Sequence, residues 1–304
     1  MKQTLVIGST VVDVVLSIPE IPGRGEDVNI TGLKYRIGGC AYNVFMALKL
    51  FNSPALLCSP AGSGFYGDMV RDHLSKDGLK PLVNLDEKNG CCFCLVEPDG
   101  ERSFLSHHGA EYLFSRSWVE NLDFSQTGSV FICGLEIEDQ SGDEIIDFVY
   151  EHPDLELYFA TGPRINHIPG KRMEKLMCRR DSRGKGPFLH LNKNEAFDFT
   201  GKYVLEDAAE FLAGITGNSL VITLGEQGAY CLSGAGNKGF YAPSFSVEVV
   251  DTVGAGDAHC GALIACIKNG WSLEEACLEA NKIGAAVARI QGSVLDKLPG
   301  EIPY

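Results

Sequence analysis

Asp251-Thr252-Val253-Gly254-Ala255-Gly256-Asp257 is the stretch on which the reading of this chain turns. It follows a β-prone run at 246–250 and opens into apolar residues at helical spacing over 258–268, so it reads as strand, glycine-rich turn and helix. Gly254 and Gly256 let backbone N–H groups turn inward on an anion, and the helix behind them adds the positive end of its dipole. Asp257, at the helix start, is placed to accept a proton from a hydroxyl held nearby. The same residues would equally serve as a tight turn followed by an aspartate N-cap, so the motif alone leaves both readings open. No GxxxxGK[ST] segment is present, which excludes a P-loop enzyme, and a dinucleotide oxidoreductase finds little support.

Working outward, short apolar runs at 5–7, 56–59, 130–133, 155–160, 188–191 and 220–224 alternate with helix-like or irregular sequence. That alternation predicts a mostly parallel sheet with crossover helices. Two β-rich pieces break the scheme. One covers about 13–36; the other, about 90–108, holds the turn Pro98-Asp99-Gly100 between two β-prone runs. Together they are expected to form a small sheet lying over the edge of the main one as a lid that excludes water. The whole chain, 1–304, is then expected to be one α/β domain, with the basic run 179–185 as an exposed loop.

Composition narrows the function. The 304 residues are 45% hydrophobic, enough for a large core, and the 35 glycines suit many tight strand-to-helix turns. A formal charge of −14 argues against the basic footprint that a polynucleotide requires. Small anions remain admissible, because a helix N-terminus holds phosphate with few basic side chains. The eleven cysteines are scattered among apolar neighbours, Cys91, Cys92 and Cys94 included, and are expected to be buried, reduced thiols of a cytoplasmic protein. No apolar run approaches the length of a membrane span, and the N-terminus reads as a strand and not a leader.

The run 251–257 resembles the DTxGAGD motif of the ribokinase-like (PfkB) carbohydrate kinases, and the resemblance extends along the chain. It implies a three-layer α/β/α fold with a β-lid, and an enzyme that uses ATP and Mg²⁺ to phosphorylate a hydroxyl of a small sugar-like substrate. By resemblance Asp257 is the catalytic base, while Gly254, Ala255 and Gly256 form the anion hole. Gly38-Gly39 with Asn43 resembles the family's GGxxxN, and Asp13 stands after Gly8 at the spacing of its GxxxxD, both substrate-binding elements. An aspartate in an apolar strand is costly unless it is paired or lines a cavity, which independently marks Asp13. Glu136, beyond the run 130–133, is a further candidate for substrate, with an exposed loop carboxylate as the other reading.

On the nucleotide side, Asn192-Lys193-Asn194-Glu195 resembles the NxxE motif, which implies Mg²⁺ held near Glu195 through water, with Asn192 by the phosphates. A plain helix start is the alternative. Thr223, Gly225 and Gly228 lie in a run similar to the family's TLGxxG turn along ATP, and Asn281 falls where relatives approach adenine. The run Gln291-Gly292-Ser293 partly resembles a loop that, with the backbone around Asp251, binds K⁺ in some relatives. Two departures bear on substrate: Cys40 stands where ribokinases commonly carry Lys, and Glu111 where Gly-Ala-Asn is common. A plain ribose assignment is put in doubt. A nucleoside kinase with Phe104, Tyr112 or Tyr42 against the base is the alternative, a non-catalytic sensor a more distant one. A lid with an exposed apolar face would be relieved by pairing in a homodimer.

Overall fold

In the computed structural model, which describes residues 1–302, alternate residues of each central strand point to opposite faces, and both faces are buried. Leu5, Ile7, Val130 and Ile132 enter one apolar layer and Val6, Phe131 and Cys133 the other. The first layer packs under the helices Gly142–Glu151, Gly170–Cys178 and Leu205–Thr216, the second under Cys40–Leu50, Ala255–Lys268 and Leu273–Ala288. A sheet with helices on both sides results, as expected.

The eight strands run in the order Phe240–Ala242, Ala229–Leu232, Leu220–Thr223, Phe188–Asn192, Glu156–Ala160, Thr127–Cys133, Gln3–Ile7, Ala55–Cys58. The last six are mutually parallel. The first two add an antiparallel edge that the apolar runs did not reveal. The chain steps to one side of Gln3–Ile7 and then to the other, which makes that strand's carboxyl end a topological switch point, where ligands bind in such sheets.

Four more strands, in the order Gly32–Gly38, Val11–Ser17, Cys91–Val96, Arg102–His107, form the lid. Its period-two alternation turns Asp13, Lys34, Arg36, Arg102 and Phe104 to one face, and Val12 and Val14 into the core on the other. Cys91 and Cys94, three apart on an extended strand, point to opposite faces and are both buried. Among the described residues no acid, His or Cys cluster holds metal geometry, and no helix is long and apolar enough to cross a membrane.

Several local expectations change. The run 246–250 is not a strand and pairs with none; its end is held instead by Val250 N and Asp251 N donating to Ala288 O. Residues 28–31 lie outside the lid strand expected there. Ala61–Ser63 and Asn84–Lys88 form a small parallel pair of their own. Gly62-Ser63-Gly64-Phe65-Tyr66-Gly67 has dinucleotide-fingerprint spacing, yet packing explains it: a Cβ on Gly62 or Gly67 would meet Glu87 O or Gly62 O at 2.5 or 1.9 Å. The basic run is not simply an exposed loop. Arg179 is 1% exposed, donating to the carbonyls of Val149, His152 and Leu155. Of the eleven cysteines, Cys178 is exposed and Cys40 and Cys92 are half-buried.

Candidate active site

Gly254 caps the helix Ala255–Lys268 at φ 76°, and a Cβ there would come within 2.2 Å of Ser293 Cβ. Only glycine fits. At Gly256 an added Cβ would meet nothing within 4 Å, so no packing reason forbids a side chain. Its bareness leaves the first-turn amides, which have no helical partner, open to the cavity beside them. Asp257 is the third residue of this helix and not its cap, which is Gly254.

That carboxylate is held from the facing helix. Asn43 Nδ2 donates to Asp257 Oδ2 at 2.8 Å, and Asn43 Oδ1 accepts from Ser293 Oγ at 2.7 Å, which fixes the amide orientation. Burial pushes Asp257 up to about 6; hydrogen bonds from Asn43 and the Cys40 thiol pull it down, and the charge of Glu195 pushes it up. The helix Cys40–Leu50 starts at Gly39, φ 102°, where a Cβ would strike Ser9 O at 2.5 Å. At Gly38 a Cβ would lie 2.5 Å from Asp13 Oδ2, so the paired glycines make room for a backbone turn and a carboxylate respectively. Burial, only partly offset by Arg36, lifts Asp13 to about 7.

Two cavities meet at this helix end. One of about 1090 Å³ is walled by Asp13, Gly39, Cys40, Asn43, Arg102, Phe104, His108, Tyr112, Glu138, Arg164, Gly254 and Asp257, among others. The other, of about 650 Å³, is walled by Thr223, Gly225, Gly228, Phe245, Ala255, Gly256, His259 and Asn281 among others. Thr252 belongs to both walls. The motif is therefore the partition between two chambers, with Asp257 on the larger side and Gly256 on the smaller.

Some expected residues stand elsewhere. Glu136 is 1% exposed behind the wall of the larger cavity, its Oε1 accepting from Ser9 N and Ser9 Oγ at 2.9 Å each. Burial pushes it up to about 7. Its neighbours Leu135 and Glu138 reach the cavity instead. Glu111 is fully buried, accepting from Gly90 N and Gly109 N, and so pins the base of the lid hairpin. Tyr42 turns away to His73 and Asp77, leaving Phe104 and Tyr112 as the cavity's aromatics, the latter stacked on His108 with centroids 3.7 Å apart.

Asn192 is exposed, absent from the smaller cavity's wall, and forms a reciprocal capping box with Glu195. Glu195 Oε1 accepts from Asn192 Nδ2, and Oε2 from Asn192 N and Thr161 Oγ1. Three of the carboxylate's four lone-pair directions are thereby filled, leaving one, on Oε1. Asn281 lines the cavity, yet its amide is engaged: Nδ2 donates to Ala242 O and Pro243 O, so Oδ1 accepts from His259 Nε2. In the neutral ring Nδ1 must then accept from His190 Nε2 at 2.9 Å. Burial, which lowers His259 to about 4, keeps this chain neutral.

Asp251 accepts Arg36 Nη1 at 2.8 Å on Oδ2 and Arg102 Nη1 at 3.1 Å on Oδ1. Its carboxylate does not fit a bound K⁺, since both oxygens already face guanidinium groups. Sequence reasoning missed these arginines, and also Glu138 and His259. The one available signal was that Arg36 falls directly opposite Asp13 once the lid strands are aligned.

The pfkB carbohydrate kinase family model matches residues 1–148 and 184–299. The chain belongs to the pfkB family of carbohydrate kinases. Within that family it is 30% identical over 296 residues to a protein of Escherichia coli (strain K12) described as "Uncharacterized sugar kinase YegV", covering 96% of this chain and 90% of that one. Ribokinase from Giardia lamblia superposes with TM-score 0.83 at 18% identity, covering 96% and 94% of the two chains. A Burkholderia thailandensis nucleoside kinase in complex with inosine gives TM-score 0.77 at 21% identity, covering 97% and 94%. The pfkB assignment makes the chain a kinase of the sugar or nucleoside type. The segment that the family model leaves out, 149–183, carries Pro163 and Arg164 of the larger cavity's wall.

Proposed function

We propose that the chain transfers the γ-phosphoryl group of ATP to a hydroxyl of a small, uncharged sugar or sugar-like polyol, with Asp257 as the base. The observation that carries this reading is the partition: two chambers share the N-terminal end of one helix, with a carboxylate on one side and bare glycine amides on the other. ATP lies in the smaller chamber along Thr223, Gly225 and Gly228, and the acceptor in the larger against Asp13, Gly39 and Asn43. Asp257 takes the hydroxyl proton as the oxygen attacks in line, and the amides at Gly254, Ala255 and Gly256 meet the charge on the moving phosphoryl group. Mg²⁺, when bound with ATP, would neutralise phosphate charge, and Glu195 is the residue that would hold one of its waters.

An uncharged acceptor is favoured because both arginines of the larger chamber are already paired, Arg102 with Asp251 and Arg164 with Glu138 in a two-point contact at 2.7 and 2.5 Å. Asp13, whose carboxylate makes no hydrogen bond or ion pair among the described residues and lines the larger chamber, is the acceptor available for hydroxyl groups. A nucleoside is the second reading. Its support is the chamber's size together with Phe104 and the Tyr112–His108 stack, apolar surfaces a base would use. Pairing of two copies through the lid is supported by the exposed Leu33, Tyr35 and Leu105; a monomeric mass by analytical ultracentrifugation would remove it.

The test is Mg²⁺-dependent ADP release across neutral sugars, sugar acids, sugar phosphates and nucleosides, with Asp257→Asn as control. Turnover of a neutral sugar that vanishes in the variant is expected. Turnover confined to nucleosides selects the second reading. Ligand binding without turnover anywhere in the panel would make the chain a sensor.

A further inference from the structure

Two lid arginines converge on one buried carboxylate outside both proposed substrate contacts and proton transfer. Asp251 is 5% exposed. Arg36 reaches its Oδ2 and Arg102 its Oδ1, and Arg102 also donates to Thr252 Oγ1 at 3.3 Å. The arginines come from Gly32–Gly38 and Arg102–His107, the two outer strands of the lid, so both lid edges are tied to one point. Gln291 reinforces the first edge, accepting from Arg36 Nη2 and Lys34 Nζ at 3.3 Å each. The same Oδ1 that Arg102 reaches also accepts from Val253 N at 2.9 Å, which shapes the turn immediately before Gly254.

A buried carboxylate is costly unless paired, and withdrawing its partners leaves an uncompensated charge. Lifting the lid would strip both guanidinium groups from Asp251 together and expose the loop that it braces. Lid closure and assembly of the anion hole are thus one event, which makes the hole complete only when water is excluded. We propose that Arg36 and Arg102 are positioning residues that transmit lid closure to the anion hole through Asp251, their guanidinium groups supplying the positive charge there in place of a monovalent cation. The kinetic part rests on the kinase reading; the structural coupling does not.

The experiment compares wild type with Arg36→Met, Arg102→Met and the double variant, in buffer whose only monovalent cation is tetramethylammonium and again with K⁺ added. Wild-type turnover is expected to agree within about twofold between the two buffers. Each single variant is expected to lose about tenfold in kcat with both KM values nearly unchanged, and the double variant about a hundredfold, the scale of a small misplacement of reacting groups. Part of the double variant's loss should return with K⁺, and Arg102→Lys should recover most of its own. In parallel, hydrogen exchange of amides 253–257 is expected to rise at least about tenfold in the double variant, with Leu220–Thr223 unaffected. A wild-type K⁺ requirement, an unchanged kcat with only acceptor KM raised, or unchanged exchange at 253–257 would each overturn the proposal. If no acceptor turns over in wild type, the exchange measurement still decides the coupling while the kinase reading fails.

Discussion

The two chambers on either side of the motif are built in different ways. The smaller is lined largely by turns and small residues, among them Gly225, Gly228, Ala255, Gly256, Gly284 and Ala285, and its polar His259 and Asn281 are engaged with each other. The larger is lined by charged and aromatic side chains from several elements, including Asp13, Arg102, Phe104, His108, Glu138 and Arg164. Backbone suffices for a phosphate chain, because amides and helix dipoles recognise an anion whatever group it is attached to. An acceptor has to be told from its isomers, and that requires side-chain donors and acceptors at fixed positions.

This contrast can be broken at the partition itself. Asp257→Asn is expected to lower kcat about a thousandfold while both ligands still bind, within the range that a positioned general base contributes; calorimetric titration beside turnover checks it. Asp13→Asn should separate the chambers: loss of charge-assisted bonds raises acceptor KM about thirtyfold and leaves ATP KM alone. A matching rise in ATP KM would mean that the chambers are not independent. The same variant carries a stability signature. Asp13 goes from an ordinary 3.8 to about 7 on folding, so its contribution is fully present below pH 4 and is lost as pH rises through about 7. Asp13→Asn should accordingly raise the Tm at pH 8 and leave it nearly unchanged at pH 4.

From the other side, Gly228→Ala places a Cβ 2.1 Å from Ala242 O at φ 91° and should raise ATP KM about tenfold, acceptor KM being spared. The smallest effect is expected in the pH profile. Activity should fall as pH drops through about 6, where Asp257 gains a proton. Asn43→Ala removes a hydrogen bond that favours the charged carboxylate, so the acid limb of kcat/KM moves upward by about half a unit to one unit. A limb that stays in place would assign it to another group.

The same contrast governs what was legible. Gly254, Ala255, Gly256 and Asp257 are contiguous, and one turn of backbone brings amides and carboxylate together, so this arrangement is written locally. Gly225 and Gly228 read the same way. Asp13 was visible because a carboxylate in an apolar strand demands a reason. Glu136 misled because position at a strand end does not say which way a side chain points: Leu135 and Glu138 face the cavity while Glu136 turns inward to Ser9. Asn281 lines the smaller cavity, but nothing in its neighbourhood in the chain announces Ala242, Pro243 or His259, which together take its whole amide. The expected strand at 246–250 failed for a related reason: β-propensity cannot say whether a partner edge is free, and here the backbone is held by Ala288 instead.

The sequence by itself determined the layered α/β architecture, the small second sheet and the glycine-rich turn that divides the two chambers, because those arise from periodicity and from residues within a turn of one another. Only the tertiary structure decided that Asp251 is a meeting point for Arg36 and Arg102, 215 and 149 positions away, that Arg164 closes on Glu138, and that Asn43 reaches across from a different helix to hold Asp257. Pairings of that kind depend on where the crossover connections return each strand, a global property of the packed chain that no local pattern of residues encodes.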